Sequence, residues 1–251
     1  MTALESSAGI ASRRPSKPAV HMSWTDLLFL HWRVPVEAVE RVLPAGVEVD
    51  RFDGETWIGL VPFTMTDCVF RGFRFVPGLR TFHECNVRVY VRAGGRAGVW
   101  FLSLDAANLL PVVGGRLGWN LNYVYSRFDV SHSHGSHRYA LRRRAGPWPV
   151  ADTMIRWQTG ARLPVSEPGS LEHFLTERYW LFTRKRNRLY AGRSYHDPWP
   201  LHEAEVQAVD DGLLRAAGFD GVTDGNPVAL ASHRIDVVGN GLVPLDAVRD
   251  R

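Results

Sequence analysis

Cysteine and lysine are the scarcest chemistry-bearing residues in this chain. Of its 251 residues only Cys68 and Cys85 are cysteines, so at most one bridge could form and no disulfide framework holds the fold. Lys17 and Lys185 are the only lysines among 30 basic residues, which leaves amine chemistry few places to occur. Long apolar runs are missing too. No aliphatic-aromatic stretch is longer than Leu27–Leu30, far short of the roughly 20 residues a membrane helix needs. Arg13, Arg14 and Lys17 are followed by no apolar core of a secretory signal before His21. What is present is globular in character: 45% hydrophobic, 22% charged and 11% aromatic residues, which excludes a disordered or collagen-like chain. The expectation is a soluble, cytoplasmic protein without membrane association.

The common chemical motifs are absent as well. Gly114, Gly115 and Gly118 lack the G-x-G-x-x-G spacing, and neither lysine follows a glycine to make a phosphate cradle. There is no H-E-x-x-H, no C-x-x-C and no G-x-S-x-G. A nucleotide, a structural zinc and a hydrolase triad are therefore disfavoured, and no cofactor and no metal are expected. The tract V-S-H-S-H-G-S-H-R-Y offers His132, His134 and His137. It reads either as a divalent-cation site or as a polar hairpin tip, and its Ser and Gly content favours the tip. The clusters Arg142-Arg143-Arg144 and Arg184-Lys185-Arg186-Asn187-Arg188 end predicted elements and read as solvated faces, so nucleic-acid binding is disfavoured.

Residues 1–21 lack periodicity and read as a flexible tail; 22–251 read as one domain. Short β-type segments over 57–63, 84–91, 99–105, 121–128, 189–195 and 235–238 are separated by turn signals such as Gly94-Gly95. Helices are fewer: 36–42, 171–179 behind the N-cap Ser170, and 213–217. The fold class is mainly β, a β-rich α+β domain.

Residues 81–106 are the most informative. Cys85, Val87, Val89 and Val91 alternate with Glu84, Asn86, Arg88 and Tyr90. A two-residue Gly94-Gly95 turn sets Val89 opposite Trp100 and Arg88 opposite Phe101. It also sets Asn86 opposite Ser103 and Glu84 opposite Asp105. Two carboxylates so paired would compete for ionisation. The polar face opens either to a cavity or to solvent, and Tyr90, Val99 and Phe101 on it favour the cavity.

The order of W-T-D-L-L-F-L-H-W (24–32), L-P-A-G-V-E-V-D (43–50), F-D-G-E-T-W-I-G-L-V-P-F (52–63), F-H-E-C-N-V-R-V-Y-V (82–91), G-V-W-F-L-S-L-D-A (98–106), L-E-H-F-L-T-E-R-Y (171–179) and H-D-P-W-P-L (196–201) resembles the YqjF-like family of the acetoacetate decarboxylase-like superfamily, over about residues 22–240. The resemblance implies a closed antiparallel β-barrel with a central cavity and peripheral helices, and it places Glu84 in that cavity. Acetoacetate decarboxylases use a Schiff-base lysine. The matching stretch, G-W-N-L-N-Y-V-Y around Trp119–Tyr125, has none, so acetoacetate decarboxylase activity is disfavoured. The family pattern adds His31, Trp32, Trp57, Tyr123, His196 and Trp199 as cavity candidates, although the tryptophans read more readily as core.

The expected site thus has Glu84, Asp105 and His196 as acid/base residues and Arg88 as anion clamp. Asn86, Tyr123, His31 and Trp57 are its substrate contacts. The expected function is a non-imine enzyme acting on a small carboxylate or carbonyl compound; the alternative is a barrel that binds a small molecule without catalysis. The expected partner is a small organic molecule, anionic if Arg88 acts as its clamp, and oligomeric state is left open.

Overall fold

Alternating β-branched and aromatic residues make strands, and here nearly all of them join one sheet. The computed structural model describes residues 14–15, 17–72, 80–144 and 148–248. In chain order the elements are β1 (Val20–Val34), α1 (Val36–Glu40), β2 (Glu48–Val49), β3 (Thr56–Phe70), β4 (Phe82–Ala93), β5 (Arg96–Ala106), α2 (Leu109–Trp119), β6 (Tyr123–Tyr125) and β7 (Arg127–Ser133). They continue with β8 (Ser136–Arg143), β9 (Ala151–Arg162), α3 (Leu171–Thr176), β10 (Trp180–Lys185), β11 (Arg188–Tyr195), β12 (His202–Asp211), α4 (Gly212–Ala216), β13 (Val228–Gly239) and β14 (Val243–Pro244). Ser170 caps α3, its hydroxyl accepting the His173 N–H at 3.1 Å.

Seven strands run in the order β11-β10-β5-β4-β3-β1-β13 and close into a ring where Ser194 and Tyr195 of β11 pair with Gly239 and Val238 of β13. β12, β9, β8 and β7 continue outward from β13. Tyr139, Leu141, Ile155 and Trp157 of that extension pack with Val87, Val89 and Leu60 of the ring. The opposite face of the same ring strands lines a cavity through Leu27, Phe29, Val61 and Phe63. Burial on both faces explains why β3 is buried without interruption from Thr56 to Met65.

The expected barrel-like, strand-rich fold is present with one correction. The ring is not wholly antiparallel, because Leu181 and Phe182 of β10 pair in parallel with Val99 and Trp100 of β5. Gly98 makes that approach possible; a Cβ there would lie 2.5 Å from the Trp180 carbonyl oxygen. At the N-terminus, β1 begins at Val20, inside the segment expected to be tail, and pairs with both Gly239 and Phe70. Residues 1–13 and 16 of that segment lie outside the described residues. The single strand expected over 121–128 divides into β6 and β7. Among the described residues no helix is long and apolar enough to cross a membrane.

Candidate functional site

The site is built on β4, whose even-numbered residues face into the ring. Gly94 and Gly95 turn the β4–β5 hairpin with φ of 55° and 76°, the left-handed values that glycine adopts without strain. From that turn the expected register holds as far as Arg88 opposite Phe101. There it breaks. Leu102 is an extra residue on β5, so Val87 pairs with Ser103, Cys85 with Asp105, and Glu84 with Ala106. A one-residue bulge exchanges faces for everything beyond it. Glu84 and Asp105 are therefore on opposite faces of the hairpin, and the expected carboxylate pair does not form.

Asp105 is fully buried on the face away from the cavity. Arg143 of β8 grips it with both arms, Nε donating to Oδ1 at 2.8 Å and Nη2 to Oδ2. Ser126 donates to Oδ1 at 2.6 Å and Ser103 to Oδ2 at 3.3 Å. Every oxygen has partners, which is how a buried charge is tolerated.

Glu84 meets the opposite environment. It lines a cavity of about 630 Å³, and its carboxyl accepts the Tyr123 hydroxyl at 2.9 Å. Burial pushes its pKa up to about 8; the Tyr123 and Asn86 hydrogen bonds hold it down, and the charge of Asp105 beyond the sheet adds to the rise. Gly115 of α2 leaves the space that the Tyr123 ring fills, since a Cβ there would lie 2.2 Å from a ring carbon. Asn86, next on the same face, has its Oδ1 buried without a donor.

Arg88 is buried against the Phe29 ring, 5.2 Å from its centroid. Its Nη2 donates to the Tyr90 hydroxyl at 3.1 Å and to the Leu175 carbonyl at 3.1 Å. Among the described residues no carboxylate pairs with it. The guanidinium is drawn toward Tyr90, away from Glu84, and the groups that set the Glu84 acidity do not include it. Arg178 lines the cavity too but is matched by Asp50 at 2.6 Å.

His196 also lines the cavity, stacked on Tyr179 with centroids 4.6 Å apart. Its Nδ1 lies 2.7 Å from the Asp197 carbonyl. A carbonyl only accepts, so Nδ1 carries the hydrogen and Nε2 is left as the acceptor. Burial lowers its pKa to about 4, keeping the ring neutral.

The cavity thus brings together Glu84, Asn86, Arg88, Tyr123 and His196. It does not include Asp105, His31 or Trp57. His31 lies one layer behind, its Nε2 2.6 Å from the Tyr90 hydroxyl that holds Arg88, and burial keeps its pKa well below the usual value. Trp57 packs with Tyr90, Val99 and Leu175. Both shifts of role have one cause: residues on β1 and β3 that sequence alone cannot assign to a face are buried on either side. Arg178 and Arg143 are the functional-looking residues that sequence reading passed over, while alternation places Tyr90 on the Arg88 face without giving it a role there. Arg143 alternates inward with Tyr139 and Leu141, so period two could have found it.

In the histidine tract, His132 and His137 pair directly across β7–β8 while His134 occupies the turn. Among the described residues no group of three or more His, Cys, Asp or Glu could hold a metal ion. Neither lysine lines the cavity.

Comparison with solved structures places this architecture among acetoacetate decarboxylase-like folds. The enduracididine biosynthesis enzyme MppR complexed with pyruvate aligns with a TM-score of 0.63 at 15% identity, covering 95% of this chain and 94% of that one. An acetoacetate decarboxylase-like enzyme from Sphingomonas wittichii RW1 aligns with a TM-score of 0.61 at 12% identity, covering 91% and 94%. In sequence, the uncharacterized protein YqjF of Bacillus subtilis (strain 168) is 32% identical over 224 residues, 87% of this chain and 89% of the relative. The DUF2071 model, described as an uncharacterized conserved protein, matches residues 21–236. With that span and that relative, the chain belongs to the DUF2071 family, whose YqjF member it resembles along most of its length.

Proposed function

We propose that this protein is an enzyme acting, without an imine, on a small organic molecule that carries a carboxylate or carbonyl group and binds inside the ring. The observation that carries this reading is the composition of the β4 wall. Among the described residues, it holds a buried guanidinium with no carboxylate partner and a carboxyl group with no cation. Burying an unpaired charge is costly, and an anionic ligand group at Arg88 would remove that cost. Glu84, its pKa pushed up to about 8 by burial, is held mainly in its protonated form at pH 7. It is suited to donate a hydrogen bond or a proton to a ligand oxygen. The orphaned Asn86 Oδ1 would accept a ligand O–H or N–H. That MppR was solved with pyruvate, an anionic oxo acid, supports the same ligand class here. With no lysine lining the cavity, nothing offers the amine that an imine requires.

A binding protein without turnover is the second reading. It is favoured by Asp105 being turned away, which leaves Glu84 as the lone carboxyl among the described lining residues.

Deuterium exchange separates the two. In D₂O, oxo acids incubated with the protein should gain deuterium at the carbon beside the ketone, followed by proton NMR, and Glu84→Gln should slow this about a hundredfold or more. Binding of the same acids should weaken as pH rises through about 8, because an ionised Glu84 can no longer donate a hydrogen bond to the ligand oxygen. Binding without any exchange would leave the non-catalytic reading, and no binding at any pH would remove both.

A further inference from the structure

Arg88 and Glu84 are four residues apart on one strand face. β4 pairs with β3 without interruption from Phe82 to Val89, so the strand is regular there. At about 3.3 Å of rise per residue the two Cα atoms are about 13 Å apart. The side chains do not close that gap. Arg88 is held away from Glu84 by Tyr90 and the Leu175 carbonyl, while Glu84 is held by Tyr123 beneath α2. A molecule of pyruvate's size bound at one group would not reach the other.

The cavity these groups line is mostly apolar. Phe82 extends the β4 wall past Glu84, and Phe29, Phe63 and Trp199 face it from other elements. Its volume of about 630 Å³ is in the range that encloses drug-sized ligands rather than small metabolite anions. On its solvent-exposed side, Leu110, Gly114 and Gly118 of α2 line the cavity. A Cβ at either of those glycines would meet nothing within 4 Å, so their bareness serves no packing need. A poor helix former placed where no packing requires it leaves that side of the cavity without side chains.

Resting on the carboxylate reading above, we infer that the ligand is an elongated amphipathic acid. Its carboxylate binds Arg88, an apolar spacer runs along β4, and a carbonyl or hydroxyl oxygen at the far end reaches Glu84. The spacer matches the aromatic walls, and the two polar ends match the two polar groups whose pairing within the protein is incomplete.

The test uses straight-chain methyl-keto acids, CH₃–CO–(CH₂)ₙ–COOH, beginning with pyruvate and lengthened stepwise, with affinity read by calorimetry and by quenching of cavity tryptophans. Affinity should rise about fourfold for each added methylene until the cavity is filled. Arg88→Met should weaken every member tenfold or more, with Arg88→Gln as the variant that retains hydrogen bonding should Met disturb the fold. Glu84→Ala should weaken only those members long enough to bring the ketone to it. Should pyruvate bind as tightly as the longer acids and respond to both substitutions, the two groups converge on one small molecule; the elongated ligand is then wrong while the carboxylate reading stands. Long acids that bind equally well to Arg88→Met would overturn the anchoring at Arg88 and the carboxylate reading with it.

Discussion

Two acid–arginine regions lie back to back across the β4–β5 hairpin, and they are finished differently. On one face Asp105 and Arg143 satisfy each other, with Ser103 and Ser126 completing the carboxylate. On the other, among the described residues, Arg88 has no carboxylate partner and Glu84 no cationic one, although both are buried. The first arrangement is closed and needs nothing further. The second retains the cost of incomplete pairing, and a protein tolerates such a cost where a ligand will complete the network. The difference separates a residue pair that holds the fold from one proposed to serve a site, although each combines a buried acid and a buried arginine of the same sheet.

The largest effect should come from opening the closed region. Arg143→Ala leaves Asp105 as an unpaired buried charge and should cost about 3–5 kcal/mol of stability, read by chemical denaturation. Arg88→Met loses hydrogen bonds to Tyr90 and Leu175 but strands no carboxylate, so its cost should stay near about 1–2 kcal/mol, with its main effect on ligand affinity. If Arg88→Met proves the more destabilising of the two, the contrast between the regions is broken.

A smaller effect sharpens the comparison at α2. Gly115→Ala should push the Tyr123 ring from its place and so disturb the hydroxyl that Glu84 accepts, lowering activity. Gly118→Ala meets nothing within 4 Å and should stabilise the helix by up to about 1 kcal/mol. Thermal unfolding of the two variants should therefore move in opposite directions; shifts of the same sign would show that the Tyr123 contact is not what requires Gly115.

Much of this was legible in the chain. The Gly94-Gly95 turn, the two faces of β4 and the register as far as Arg88 all follow from alternation and turn chemistry. The bulge does not, because Leu102 is apolar and fits either face, so nothing in the pattern signals an inserted residue. That single residue moved Asp105 out of the site. On β1 and β3, burial from both sides erases alternation, which is why His31 and Trp57 could not be assigned to the cavity or the layer behind it. α2 was hidden by Pro111 and three glycines, whose propensities argue against a helix that tertiary contacts such as Gly115 against Tyr123 nonetheless place there. Arg143 was concealed in a basic run whose neighbours, Arg142 and Arg144, are indeed exposed.

The protonation state of Glu84 tests the central contrast most directly. Burial without a cation places its pKa at about 8, so the group is neutral below that value and charged above it. Infrared difference spectra of the protein against its Glu84→Gln variant, recorded across pH 5 to 9, should show the carbonyl band of a protonated carboxyl group at pH 7. That band should fade with a midpoint near 8 and shift when a keto acid binds. Absence of the band at pH 7, with titration in the usual carboxylate range, would contradict the account.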